Sequence, residues 1–142
     1  MPITRTIPCA ECGAASPTAL TCWELLGHLL AQEQYDAELL DEHFLTVACY
    51  NLQHPAQFTA EALAGLRESL IDRLDRNFPT EHIRRRTSAR FEGPTRVLTP
   101  EADRRPVPRV WRVTIADVSL PDHVEGAAQR VRSWAAAIRA AL

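Results

Sequence analysis

The chain has 142 residues, 46% of them hydrophobic, and a formal net charge of −2. That is the size of one ordinary domain, able to bury a core without disulfides, and no run approaches the roughly eighteen consecutive apolar residues of a membrane span. The start "MPITRTIP" has neither a basic nor an apolar leader region, so the expectation is a soluble cytoplasmic protein, in which Cys9, Cys12, Cys22 and Cys49 serve as buried thiols, metal ligands or redox groups.

Residues 7–20, "IPCAECGAASPTAL", show neither helical nor strand period and read as a loop. Thr21 is an N-cap candidate for a helix over 22–34, with Trp23, Leu26, Leu29 and Leu30 at helical spacing. A second helix is predicted from about Asp36 to Gln53, ended by Pro55, which disfavours helical geometry at His54. A third starts at Thr59, with Leu63, Leu66, Leu70 and Leu74 as its apolar stripe, and a short fourth starts at Thr80 after Pro79. From Ala89 to Pro108 prolines and charge predict an extended or looped segment. "VWRVTIADV" alternates like a strand, and "TRVLT" at 95–99 is its expected partner in a small β-ribbon. Ser119, Pro121 and Asp122 signal a last helix carrying Val124, Ala128, Val131, Ala135 and Ile138. The reading is a mainly α single helical domain over 1–142, divided into a knuckle loop (1–21), a helical core (22–88), an extended segment with the ribbon (89–118) and a C-terminal helix (119–142).

Charge is distributed unevenly. Residues 1–80 carry 4 Arg against 11 acids, net −7, and residues 81–142 carry 12 Arg against 7 acids, net +5, so the two halves should attract. All sixteen basic residues are arginine.

The chemistry concentrates in "CAECG", a C-x2-C followed by glycine, in which two thiolates converge on one ion. A redox pair fits less well, because such pairs need a helix N-terminus and Gly13 and Pro17 oppose one there. A tetrahedral zinc needs two more ligands, and the candidates are Cys22, His43, Cys49 and His54. His43 and His54 stand roughly 16 Å apart along a continuous helix and cannot share one ion. If helices 22–34 and 36–53 form an antiparallel hairpin, Cys22 lies beside His54, and the best set is Cys9, Cys12, Cys22 and His54. Cys22 as a small buried hydrophobe and His54 as a helix cap remain close alternatives. Gln53 or a nearby carbonyl could orient the other His54 nitrogen. His43 and Tyr50, seven apart, could form a hydrogen-bonded core pair or, with Gln53, the wall of a small pocket or alternative ligands.

The order "CAECG", "CWELLGHLLAQE", "HFLTVACYNLQHP", "WRVTIADV" and a late tryptophan in "VRSWAAAI" resembles a family of uncharacterised bacterial proteins, domain of unknown function 5946. The resemblance implies a shared motif set and fold, with no activity attached. It also implies Cys22 rather than Cys49 as third thiolate, since the family's pattern generally lacks a cysteine at the latter, and it favours His54 as ligand.

The expected function is a small zinc-binding protein whose metal is structural in an interaction or regulatory module. Whether it is an enzyme stays open: three ligands such as Cys9, Cys12 and His54 would leave a zinc position for water, with Glu24, Glu42 or the His43/Tyr50 pair as general acid/base. No H-E-x-x-H or deaminase spacing supports that alternative. A second alternative is nucleic-acid binding through Arg84–Arg112, nine arginines against three acids. Overall acidity weighs against it, and internal ion pairing or an oligomer contact is the simpler use of Arg84, Arg85, Arg86 and Arg90. His28 and His82 read as structural or solvated, His123 as a hydrogen-bond partner for Asp117, and Cys49 as core.

Overall fold

A computed structural model describes residues 7–15 and 18–142. The expectations placed on residues 1–6 and on Pro17 lie outside them. Seven α-helices follow in order among the described residues: α1 (Cys22–Gln32), α2 (Ala37–Asp41), α3 (His43–Gln53), α4 (Ala60–Asp75), α5 (Thr80–Arg90), α6 (Ile115–Val118) and α7 (Ala127–Ala140). The mainly helical class is as expected.

The N-termini carry the predicted caps. Thr21 and Glu24 form a reciprocal capping box at α1, in which the Glu24 N–H donates to Thr21 Oγ1 and the Thr21 N–H to Glu24 Oε1, both at 3.1 Å. Thr59 caps α4 by accepting from the Ala62 N–H. The predicted second helix is two. The backbone departs from helical geometry at Glu42, with φ −98° and ψ 13°, and this turn lets the Glu42 carboxylate meet Arg132 at 3.3 Å and His43 meet Glu33. No Gly or Pro marks the break, so it leaves no trace in the periodicity.

The β-ribbon does not form: among the described residues there is no strand, and Leu98 makes one isolated bridge with Phe58. The alternation in "VWRVTIADV" misleads because it contains Thr-x-x-Asp. Thr114 and Asp117 close a second capping box, which starts α6 where the strand was expected. α7 likewise begins at Ala127, later than its signals, after Gly126 turns the chain at φ 77°. Asp117 is thereby committed to Thr114, and His123 faces Glu125 at 3.8 Å instead.

α3 lies against α4 and α7, and α1 and α7 both pack on α6. Leu29, Leu39, Leu70, Ile115, Val131 and Trp134 are fully buried between them. Gln53, also fully buried, joins three elements: its Nε2 donates to the Val113 carbonyl at 2.7 Å, and its Oε1 accepts from Trp134 Nε1 at 3.1 Å. Trp23, at helical spacing with Leu26 and Leu29, is 69% exposed while those two leucines are buried. The opposed charge of the two halves is realised in contacts: Arg132 with Glu38 and Glu42, Arg139 with Asp75, Arg86 with Asp72, and Arg90 with Glu68.

Candidate metal centre

The knuckle is built by backbone geometry. The Cys9 N–H donates to the Ala14 carbonyl at 2.9 Å, and the Gly13 N–H donates to the Cys9 carbonyl at 3.0 Å. Gly13 sits at φ 75°, a left-handed conformation a side chain would strain. The Ala14 N–H points at Cys12 Sγ, 3.4 Å away. Glu11, between the two cysteines, ties this loop to the body twice. Its carbonyl accepts from the Arg109 N–H at 3.0 Å, and its Oε1 accepts from the Ala56 N–H at 2.8 Å. The second bond holds the knuckle against the turn that follows His54, a link across 45 residues that spacing alone does not reveal.

Cys22 is the first residue of α1 and His54 follows the last residue of α3, so the α1 start and the α3 end meet as the hairpin reading expected. The ligand atoms of Cys9, Cys12, Cys22 and His54 all lie within 4.8 Å of one another. Cys12 Sγ and Cys22 Sγ are 3.7 Å apart, too far for a disulfide. It is close to the separation of about 3.8 Å that two sulfurs have on a tetrahedral ion with bonds of about 2.3 Å. Cys12 is 1% exposed and His54 6%.

His54 is oriented as a ligand would be. Its Nδ1 lies 2.8 Å from the Tyr50 carbonyl, which can only accept, so Nδ1 carries a proton and Nε2 is the ring nitrogen left for an ion, available once its own proton is displaced. That buried Nε2 has no hydrogen-bond partner among the described residues. The Tyr50 ring stacks on the imidazole with centroids 4.1 Å apart and planes at 18°, and Trp23 covers Tyr50 from outside. The expectation that Gln53 or a nearby carbonyl orients His54 is met by the Tyr50 carbonyl; Gln53 is engaged with Val113 and Trp134.

Protons are shared unevenly in this cluster. The Cys22 thiol beside it pushes the Cys12 thiol down, against the upward effect of burial, while Cys22 is pushed up by Cys12 and by burial. For His54, burial opposes the charge, but Cys12 and the Tyr50 carbonyl outweigh it and push the imidazole up to about 9. Negative charge is thus favoured on the Cys12 sulfur, beside the Cys22 thiol and the His54 imidazole.

The other singled-out residues lie apart from the cluster. His43 Nδ1 meets Glu33 Oε2 at 2.9 Å and lines a cavity between α3, α4 and α5. Cys49 is fully buried in the core. Glu24 is engaged in its capping box and Glu42 with Arg132, so neither carboxylate is free for proton transfer. Arg104 and Arg105 donate to backbone carbonyls, and Arg109 donates to the Ala141 carbonyl while covering the Trp111 ring at 3.9 Å. No helix is long and apolar enough to cross a membrane among the described residues.

A family model described as "Family of unknown function (DUF5946)" matches residues 7–142. No curated protein and no solved structure matches the chain.

Proposed function

Because the chain belongs to DUF5946, a family of unknown function whose matched span includes all four clustered ligands, we propose from the site itself that Cys9, Cys12, Cys22 and His54 bind one zinc ion in a structural role. The observation that carries this reading is the buried Nε2 of His54, without a hydrogen-bond partner among the described residues and clustered with three thiols, its Nδ1 already held by a carbonyl. A buried polar atom without a partner costs about 1–3 kcal/mol, and coordination removes that cost.

Zinc suits the donor set. Three sulfurs and one imidazole are a familiar closed tetrahedral shell, and a closed shell leaves no coordination position for a reacting water. The ion would join a loop with little core of its own to the ends of two helices, contributing folding energy directly. On this reading the protein is a cytoplasmic interaction or regulatory module, and the zinc fixes the shape of the face formed by the knuckle, Trp23 and the turn after His54. The engaged carboxylates support this over an open-site hydrolase. The arginines spent on ion pairs and carbonyls support it over a nucleic-acid interface.

Metal content of protein purified without chelator tests the proposal. One equivalent of zinc is expected in the wild type, and less in both Cys22→Ser and His54→Ala. Zinc retained at full stoichiometry in both variants would overturn the four-ligand shell.

A further inference from the structure

A cavity of about 350 Å³ opens between α3, α4 and α5, on the side of α3 that carries His43 and Phe44. Its walls are apolar, with Phe44, Val47, Phe58, Leu66, Ile83 and Phe91 prominent among them. The segment after α5 closes one end, held by the Thr59 N–H on the Val97 carbonyl and the Thr99 N–H on the Gln57 carbonyl, both at 2.9 Å. The volume is at the small end of the range typical of ligand sites, about 300–1,000 Å³.

Six polar side chains in its lining, those of Asn51, Ser69, Thr80, Arg84, Thr87 and Ser88, make no hydrogen bond or ion pair among the described residues. Of these, Ser69 is only 4% exposed. Arg84 lies at the rim and forms no ion pair or hydrogen bond among the described residues, while Arg86, two positions along, is paired to Asp72 at 2.6 Å. The other titratable group in the lining, His43, is already matched by Glu33. The cavity therefore has one uncompensated charge, and it is positive.

We infer that this cavity binds a small amphipathic monocarboxylate, with its apolar chain among the aromatic and aliphatic walls and its carboxylate on the Arg84 guanidinium. Planar guanidinium and carboxylate match in a two-point contact, which a hydroxyl cannot make. Gly65 forms part of the wall. A Cβ there would come 3.1 Å from Arg90 Nη1, the far end of a flexible side chain, so a larger residue can be placed at 65 by moving Arg90 and would then fill the space. Leucine is also the better helix former at that position.

Calorimetric titration with decanoate and with decanol, followed in parallel through the methyl resonances of Val47, Leu66 and Ile83, tests the inference. Decanoate is expected to bind about tenfold more tightly than decanol, and both should shift those methyls. Arg84→Gln, at an exposed position, should bring decanoate down to the level of decanol and leave decanol unchanged. Gly65→Leu should abolish binding of both. Zinc content should stay constant throughout, which separates this site from the metal centre. Absence of binding by either probe, shifts confined to other methyls, or a decanoate preference that survives Arg84→Gln would each overturn it.

Discussion

If the proposed zinc occupies the Cys9, Cys12, Cys22 and His54 cluster, removing it should release residues 7–15 while the helical body stays folded. Besides the weak Ala14 N–H contact to Cys12 Sγ, four hydrogen bonds to oxygen hold that segment: Cys9 to Ala14, Gly13 to Cys9, Arg109 to Glu11, and Ala56 to the Glu11 carboxylate. At about 0.5–1.5 kcal/mol net each they contribute about 2–6 kcal/mol. Burial of the small side chains of Cys12 and Ala14 adds about 1–2 kcal/mol. Ordering the backbone of nine residues costs about 1–2 kcal/mol apiece, or about 9–18 kcal/mol. The segment is therefore short of stability by several kcal/mol unless the ion, whose structural binding is worth about 10–16 kcal/mol, makes up the difference. Amide hydrogen exchange before and after chelation reads this directly. The Gly13 and Arg109 amides should lose their protection, while amides in α3 and α7 around Gln53 and Trp134 keep theirs. Equal protection of Gly13 and Arg109 in protein verified to be metal-free would show that the segment holds its shape without the ion.

Three further outcomes follow from the same geometry. Gln53→Leu strands the Trp134 N–H and the Val113 carbonyl, and should lower stability by about 2–4 kcal/mol, seen as a lower denaturant midpoint with unchanged slope; a loss below about 1 kcal/mol would contradict the clamp. Cys49 is fully enclosed and burial pushes its thiol up, so alkylation after chelation should modify Cys9, Cys12 and Cys22 and spare Cys49 until denaturant is added; labelling of Cys49 at a comparable rate would contradict its core placement. Asp72, 1% exposed, accepts from Arg76 Nη1 at 2.6 Å and pairs with Arg86 on α5. Both arginines can turn toward water, so Asp72→Ala should cost about 1–3 kcal/mol rather than the larger penalty of a stranded buried charge, as read from the denaturation midpoint. No measurable change would mean that the pair does not join α4 to α5.

The parts of this molecule that sequence reveals are those governed by local chemistry. Thr21 and Thr59 announce their helices because a hydroxyl three residues before a helical amide is a cap wherever it occurs. Pro55 ends α3 for an equally local reason. The Cys22/His54 meeting was legible because a short link near Tyr35 forces the α1 start toward the α3 end, a consequence that the kink at Glu42 does not disturb. The misreadings arise where two local signals compete. In residues 111–118 the alternation of Trp111, Val113 and Ile115 suggests a strand, but a strand needs a partner, and Leu98 offers only a single bridge to Phe58, whereas Thr114 and Asp117 satisfy each other without help. Long-range polar contacts are hidden altogether: nothing in the spacing joins Glu11 to Ala56 or Gln53 to Trp134, because each depends on which faces the completed core brings together.

X-ray absorption at the zinc edge measures the coordination shell itself. With zinc in the proposed site, three sulfur neighbours at about 2.3 Å and one nitrogen at about 2.0–2.1 Å are expected, with no oxygen. A shell containing an oxygen neighbour, or fewer than three sulfurs, would contradict the closed structural site and return the centre to an open one.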